Sequence, residues 1–332
     1  MTANLREVTA QIDDRVRLIG ALLAATRYPD EVQARHGHGT HAHARATRRQ
    51  VLALRDHPAA RGLQTMLDAA VPLEALFALG ISWEWPSLSA PKLPNWAPPS
   101  WDADCRDFMQ RAELPAWWAG EAEVWQASLL EVQTLLDRAL LGAFLERFTG
   151  PIQTRLVFMP HLSYPTNHEL ALRAGGALLA IVPPRLAWGD SPPWPFEEDP
   201  AHVYRAAIIA FGRLLLQDYL RAQPEVLAAA VRTPLPVSPA FAARHPTWYE
   251  QFTALYLGGA VAIYLEQHVS AAEAEAFVLM ERKVCANTLL PAAIHVLRHY
   301  LQERERGRYR ELADLLPLFT KQLRVASRIV AL

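Results

Sequence analysis

Lysine is nearly missing from this chain of 332 residues. Only Lys92, Lys283 and Lys321 stand among its 33 basic residues, so arginine carries almost all the positive charge. Cysteine is as scarce: Cys105 and Cys285 alone exclude a disulfide-stapled fold and suit a reducing compartment. No sign of charge prevails, because 34 acidic residues leave a formal charge of -1, and that removes any global pull toward nucleic acid or anionic lipid. No apolar run reaches the roughly 18 residues of a membrane span, since Arg173, Arg185, Arg213 or Asp218 interrupts each one. The first residues, with Arg6, Glu7, Asp13, Asp14, Arg15 and Arg17, lack the basic-then-apolar order of a secretory signal. A glycine-rich phosphate loop is also missing, Gly175-Gly176 and Gly258-Gly259 being isolated pairs. These absences predict a soluble, cytoplasmic protein with no membrane and no specific nucleic-acid partner.

What is present is a large apolar inventory, 51% of residues, which is ample for a sizeable core. Ten tryptophans and 25 prolines are the unusual numbers, and they cluster. Trp83, Trp85 and Trp96 alternate with Pro86, Pro91, Pro94, Pro98 and Pro99, a pattern that fits neither helix nor sheet interior. So aromatic a loop is expected to lie over a surface.

Around it, apolar periodicity predicts helices at 4–26 (Val8, Ile12, Val16, Ile19, Leu23), 47–70 with a break at His57-Pro58, 73–79 and 114–148. Residues 152–160, 169–173 and 177–182 read as strands. Further helices follow at 201–221, 246–267, 271–306 with a kink at Pro291, and 309–329 with an interruption at Pro317. Asp199-Pro200 opens the first of these, acidic residues and proline both favouring a helix start. The fold class expected is α+β, mostly helical with a small central sheet. The domain division expected is 1–150, helical with a tryptophan- and proline-rich covering loop, and 151–332, the sheet followed by helices.

Several residues invite a chemical reading. His36, His38, His41 and His43 alternate in a glycine-containing segment, and neutral imidazoles of that kind chelate divalent ions. No carboxylate accompanies them to orient the rings, so an exposed loop with incidental metal affinity is expected. The arginines from Arg35 to Arg55 make the segment basic, but without aromatics it does not read as a nucleic-acid surface. His161, His168 and Glu169 sit in a loop between two strands, where functional residues are often placed. His168-Glu169 begins a zinc-helix motif, yet Leu172 stands where the second histidine is required. His295 and His299 share a helix face near Cys285 and lack a third partner, so a structural pair is expected. Gly258-Gly259 inside a helical pattern costs about 1 kcal/mol per residue against alanine, and a close approach to a neighbouring element explains it best.

The strand Leu156-Val157-Phe158-Met159-Pro160, the segment Ile208-Ile209-Ala210-Phe211-Gly212-Arg213-Leu214-Leu215 and the two-glycine helix from Tyr256 to Glu266 together resemble a group of bacterial zincin-like proteins related to gluzincin metallopeptidases. The resemblance covers about a third of the chain, from Arg155 to Gln267. In that family histidines at i and i+4 chelate zinc, and the glutamate after the first polarises the attacking water. Those three positions fall here on Ile209, Arg213 and Ala210, and the third ligand falls near Tyr256. Isoleucine and alanine can do neither job, and a permanent guanidinium charge repels the ion. The resemblance therefore implies a metallopeptidase-like protein without catalysis, metal or other cofactor. Its relic cleft would bind a peptide or small acidic ligand through Arg213, Tyr256 and His168, with Glu250 as an internal partner of Arg213. Two other readings compete: a hydrolase built on His161, His168 and Glu169, and a helical protein-interaction module.

Overall fold

The structure, a computed structural model, describes residues 8–35, 42–89, 92–164, 168–185, 192 and 194–330. The architecture is α+β, with many helices and one four-stranded mixed sheet in the order β1-β2-β4-β3. The strands are β1 (Val8–Ala10), β2 (Arg155–Pro160), β3 (Leu170–Ala174) and β4 (Ala177–Val182). β2 pairs with β1 and β4 in parallel, Leu156 lying between Val8 and Leu178, while β3 runs antiparallel to β4. All six residues of β4 are buried, as expected of a near-continuous aliphatic run between two neighbouring strands.

The expected helix over 4–26 is shorter than its periodicity implies. Val8–Ala10 forms a strand, and α1 (Asp14–Ala25) starts only after Asp13, whose side chain accepts a hydrogen bond from the Arg15 backbone N–H. Val8, Ile12 and Val16 satisfy a helical period, but an aspartate at the N-cap position overrides it by binding a backbone donor from outside the helix.

By contact, the chain forms two compact units, each assembled from both sides of residue 150. One comprises Val8–Arg138 and Thr154–Val203 and holds the sheet. Its helices are α1, α2 (Tyr28–Arg35), α3 (Ala42–Val51), α4 (Pro58–Asp68), α5 (Leu73–Ser82), α6 (Trp101–Arg111), α7 (Leu114–Gly120) and α8 (Ala122–Arg138). α1 is its centre: every residue from Val16 to Ala25 is buried, and α3, α4 and α5 pack against it. The stop at His57-Pro58 is a capped start, with His57 Nδ1 accepting from the Ala59 N–H and Pro58 in the first turn of α4. The covering loop is pinned at its two ends by Trp83 and Trp101, while Trp85 and Trp96 stay exposed. Trp83 and Trp101 meet edge to face at 5.4 Å inside the core, and Trp101 Nε1 donates to the Ala59 carbonyl at 3.0 Å.

The other unit comprises Ala139–Gln153 and Tyr204–Leu332 among the described residues. It holds α9 (Leu141–Thr149), most of α10 (Pro200–Arg221), α11 (Pro224–Val231), α12 (Pro239–Arg244), α13 (Trp248–His268), α14 (Ala271–Val284), α15 (Leu290–Glu305), α16 (Leu312–Leu315) and α17 (Phe319–Val330). The helix expected over 114–148 is thus three helices. The one expected over 271–306 is two, because Ala286 takes a left-handed φ of 56° and Pro291 begins α15 rather than kinking it. α13 is the buried axis of this unit. Helices approach it closely at its glycines: a Cβ on Gly259 would lie 2.6 Å from Leu297 Cδ1, and one on Gly212 of α10 would lie 2.7 Å from Leu257 Cδ2. Among the described residues no helix is long and apolar enough to cross a membrane.

The last carbonyls of a helix have no partner within it. At the end of α9, the Tyr256 hydroxyl donates to the Phe148 carbonyl at 2.8 Å, and the Arg304 guanidinium donates to the Arg147 carbonyl. Tyr256→Phe removes one of these bonds in a fully buried place. It is expected to lower the unfolding free energy by about 1–2 kcal/mol, measurable by urea denaturation, with little change in secondary structure.

Candidate ligand-binding site

The first turn of α1 carries four consecutive or near-consecutive charges that the sheet-containing unit encloses. Asp13 caps the helix and takes Arg15 in a two-point ion pair, Nε to Oδ1 at 2.9 Å and Nη2 to Oδ2 at 2.6 Å. Arg15 Nη1 also donates to the carbonyls of Ile81 at 2.6 Å and Trp83 at 3.0 Å. Two residues on, Arg17 Nη1 meets Asp14 Oδ1 at 3.0 Å. Arg17 is only 7% exposed, and its Cζ lies 4.6 Å from the ring centre of Trp118 and 4.2 Å from that of Trp125. Burial lowers its pKa, opposed by Asp14 and Glu121, but a guanidinium starts so high that it remains a cation.

These residues line a cavity of about 410 Å³ together with Trp85, Ile12, Ala122 and Gln126. Trp85 is 40% exposed and its ring lies 6.4 Å from that of Trp118. Behind the wall, Glu121 holds Trp125 in place: Trp125 Nε1 donates to Glu121 Oε2 at 3.3 Å, and His43 Nδ1 lies 3.0 Å from Glu121 Oε1. The volume and the mix of indoles with a few fixed polar groups are those of small-molecule sites in general.

His161 is the loop histidine that the sequence singled out, and it belongs to the same neighbourhood in a structural role. It is 1% exposed, packed among Phe77, Trp125 and Tyr164. Its Nε2 lies 3.2 Å from the Val16 carbonyl, which accepts, so Nε2 carries the proton of a neutral ring. Burial, and secondarily the charge of Arg17, push its pKa down to about 4. A general base must be reachable and poised near the working pH, and this imidazole is neither.

The remaining sequence candidates fall elsewhere. His168 is exposed just before β3, and Glu169 is half-buried beside it. Arg213 is half-buried on α10, and Ala210 next to it is buried. Glu250 forms a capping box with Thr247 at the exposed start of α13, while Tyr256 is in the core two turns on, bonded to Phe148. Six residues on a helix advance about 240° around its axis, so Glu250 and Tyr256 do not share a face. His36, His38 and His41 lie outside the described residues; His43 is the member of the run whose contact is seen. His295 and His299 do share a face and line a groove of about 340 Å³ with Val325 and Ile329 of α17. Cys105 is buried and Cys285 half-buried, both unpaired, and burial raises both thiols. Among the described residues no three His, Cys, Asp or Glu side chains are grouped to hold a metal ion.

Sequence reasoning passed over Arg17, Asp14, Trp118 and Trp125. The signal was a charge at position 17 directly abutting the apolar run Leu18–Ala25, with two tryptophans seven residues apart downstream. Compared with protein-family models, curated proteins and solved structures, the chain matches none.

The depressed pKa of His161 has a consequence for stability. Between its unfolded value near 6.5 and about 4, the unfolded chain takes up a proton that the native ring does not. Stability is therefore greatest above pH 6.5 and is lost as pH falls through this window, by about 3 kcal/mol from this group. Denaturant unfolding at pH 7.5 and pH 4.5 should show that His161→Gln, which keeps a donor for Val16, loses about 2–3 kcal/mol less than wild type over that interval.

Proposed function

We propose that this chain is a non-catalytic binding protein whose ligand, a small molecule or the end of a peptide with a flat apolar part, occupies the tryptophan-lined cavity at the start of α1. The observation that carries the reading is the cavity wall itself, three indoles set among ion pairs already fixed to one another. Aromatic surface held rigid before binding favours association, because little ordering remains to be done. The ten lining residues include no serine, threonine, cysteine or histidine to act as nucleophile or proton relay.

A distant relation to zincins remains part of the proposal as ancestry, and a cytoplasmic location as its setting, supported by the two unpaired cysteines. The relic-cleft version has less support. Tyr256 is committed to Phe148, Glu250 to its capping box, and Gly212 to the approach of Leu257. The hydrolase version is weakened by the closure of His161.

A thermal-shift screen of planar small molecules tests the reading. Molecules that raise Tm are expected to lose about tenfold in affinity in Trp85→Ala, the range of one aromatic contact at about 1.4 kcal/mol, and to be indifferent to His299→Ala in the α15–α17 groove. A screen whose stabilising molecules respond only to His299→Ala would sink the assignment.

A further inference from the structure

α17 carries three cations, Lys321, Arg324 and Arg328, and no acid. Their spacings of three and four residues place them within about 60° of arc on one helix face. Like charges so spaced repel one another and destabilise a helix. All three are exposed, and none has a carboxylate partner among the described residues. Elsewhere the chain meets its arginines with acids, as in Arg48 with Asp30 and in Arg306 and Arg308 with Glu303.

The three cations line a pocket of about 190 Å³ that also includes Thr233 and Thr320 and has no carboxylate in its lining. The wall at Thr233 is fixed, because its carbonyl accepts from Trp248 Nε1 at 3.3 Å and from the Thr320 hydroxyl at 3.4 Å. Arg324 Nη2 reaches from α17 to the Pro234 carbonyl at 3.4 Å, so its guanidinium stands where helix and loop meet. Its Nε and Nη1 have no acceptor among the described residues.

We propose that this pocket binds the phosphate group of a phosphomonoester, with Arg324 and Lys321 as its main contacts and Arg328 as a flanking charge. The pocket belongs to the helical unit and is independent of the tryptophan-lined cavity. A dianion suits three cations without a competing carboxylate better than a monoanion does, since Coulomb attraction scales with charge. The volume admits a phosphate with a small organic body, given that a cavity of about 150 Å³ holds benzene. A nucleic-acid strand is disfavoured, because one pocket without an aromatic side chain in its lining meets a single phosphate rather than a row of them.

Isothermal titration calorimetry of the full chain, in a phosphate-free buffer of low ionic strength, tests this with methyl phosphate and methyl sulfate. Above the second phosphate pKa of about 6 these tetrahedral esters differ by one charge. Methyl phosphate is expected to bind about tenfold tighter than methyl sulfate, and to lose about tenfold in Arg324→Gln and in Lys321→Gln, the range of one charge-assisted bond. Lys321→Gln removes a repelling charge from an exposed position, so its Tm without ligand should not fall. Arg310→Gln, an exposed cation outside the pocket, and Trp85→Ala should leave the affinity unchanged. Equal binding of the two esters, an equal loss in Arg310→Gln, or no binding of methyl phosphate at millimolar concentration overturns the site, whatever becomes of the tryptophan-lined cavity. Phosphatidylcholine vesicles containing phosphatidate present the same group on a lipid. Their capture alongside methyl phosphate would support the site with a headgroup as the source, and methyl phosphate binding alone would support it with a soluble ester; capture of vesicles alone overturns it.

Discussion

A guanidinium withdrawn from water must be compensated where it sits, and the compensation of Arg17 organises the sheet-containing unit. Removing such an ion from solvent costs several kcal/mol even after relaxation. Asp14 supplies one charge-assisted hydrogen bond, and the two indole faces supply a cation–π attraction that strengthens to about 2 kcal/mol or more when the pair is desolvated. To present those faces, α7 and α8 must bring Trp118 and Trp125 to the first turn of α1. Glu121 then fixes Trp125 by its indole N–H. Two residues earlier, Arg15 ties the same helix start to the carbonyls of Ile81 and Trp83, where α5 gives way to the covering loop. The cavity is thus the space left between elements whose positions one buried charge requires.

The helical unit obeys a different constraint, the closeness of helices around α13. Small residues at Gly212 and Gly259 let α10 and α15 come near enough for leucine side chains to fill the space a Cβ would need. α13 is accordingly a packing element. Tyr256 spends its hydroxyl on a helix end that would otherwise bury an unmet carbonyl.

Much of the fold was legible because it follows local rules. The strands at 152–160, 169–173 and 177–182 appear at nearly those bounds, and His57-Pro58 and Asp199-Pro200 mark helix starts as their chemistry requires. Local rules failed where tertiary pairing decided. Val8–Ala10 has a helix-compatible period and becomes a strand because a parallel partner 148 residues away, Leu156 for Val8, is available to it. The break after α14 rests on one alanine in a left-handed conformation, which no residue preference announces. The site was less legible still. Histidines drew attention because their chemistry is general, yet His161 is locked and neutral. Arg17 looked like one more charge on an amphipathic helix, and only the three-dimensional approach of Trp118 and Trp125 makes it unusual.

The protonation states at the cavity bear on what kind of function it can have. Arg17 is lowered from a value so high that it stays charged, and His161, behind Trp125, is held neutral down to about pH 4. Neither group can pass a proton in either direction near neutrality, because general acid–base work needs a pKa close to the operating pH. Indoles set beside an ion-paired helix start are suited to recognising shape rather than to moving protons. The same burial that disqualifies these residues from acid–base chemistry confines the guanidinium between two rings, so this part of the wall has few conformations left to lose.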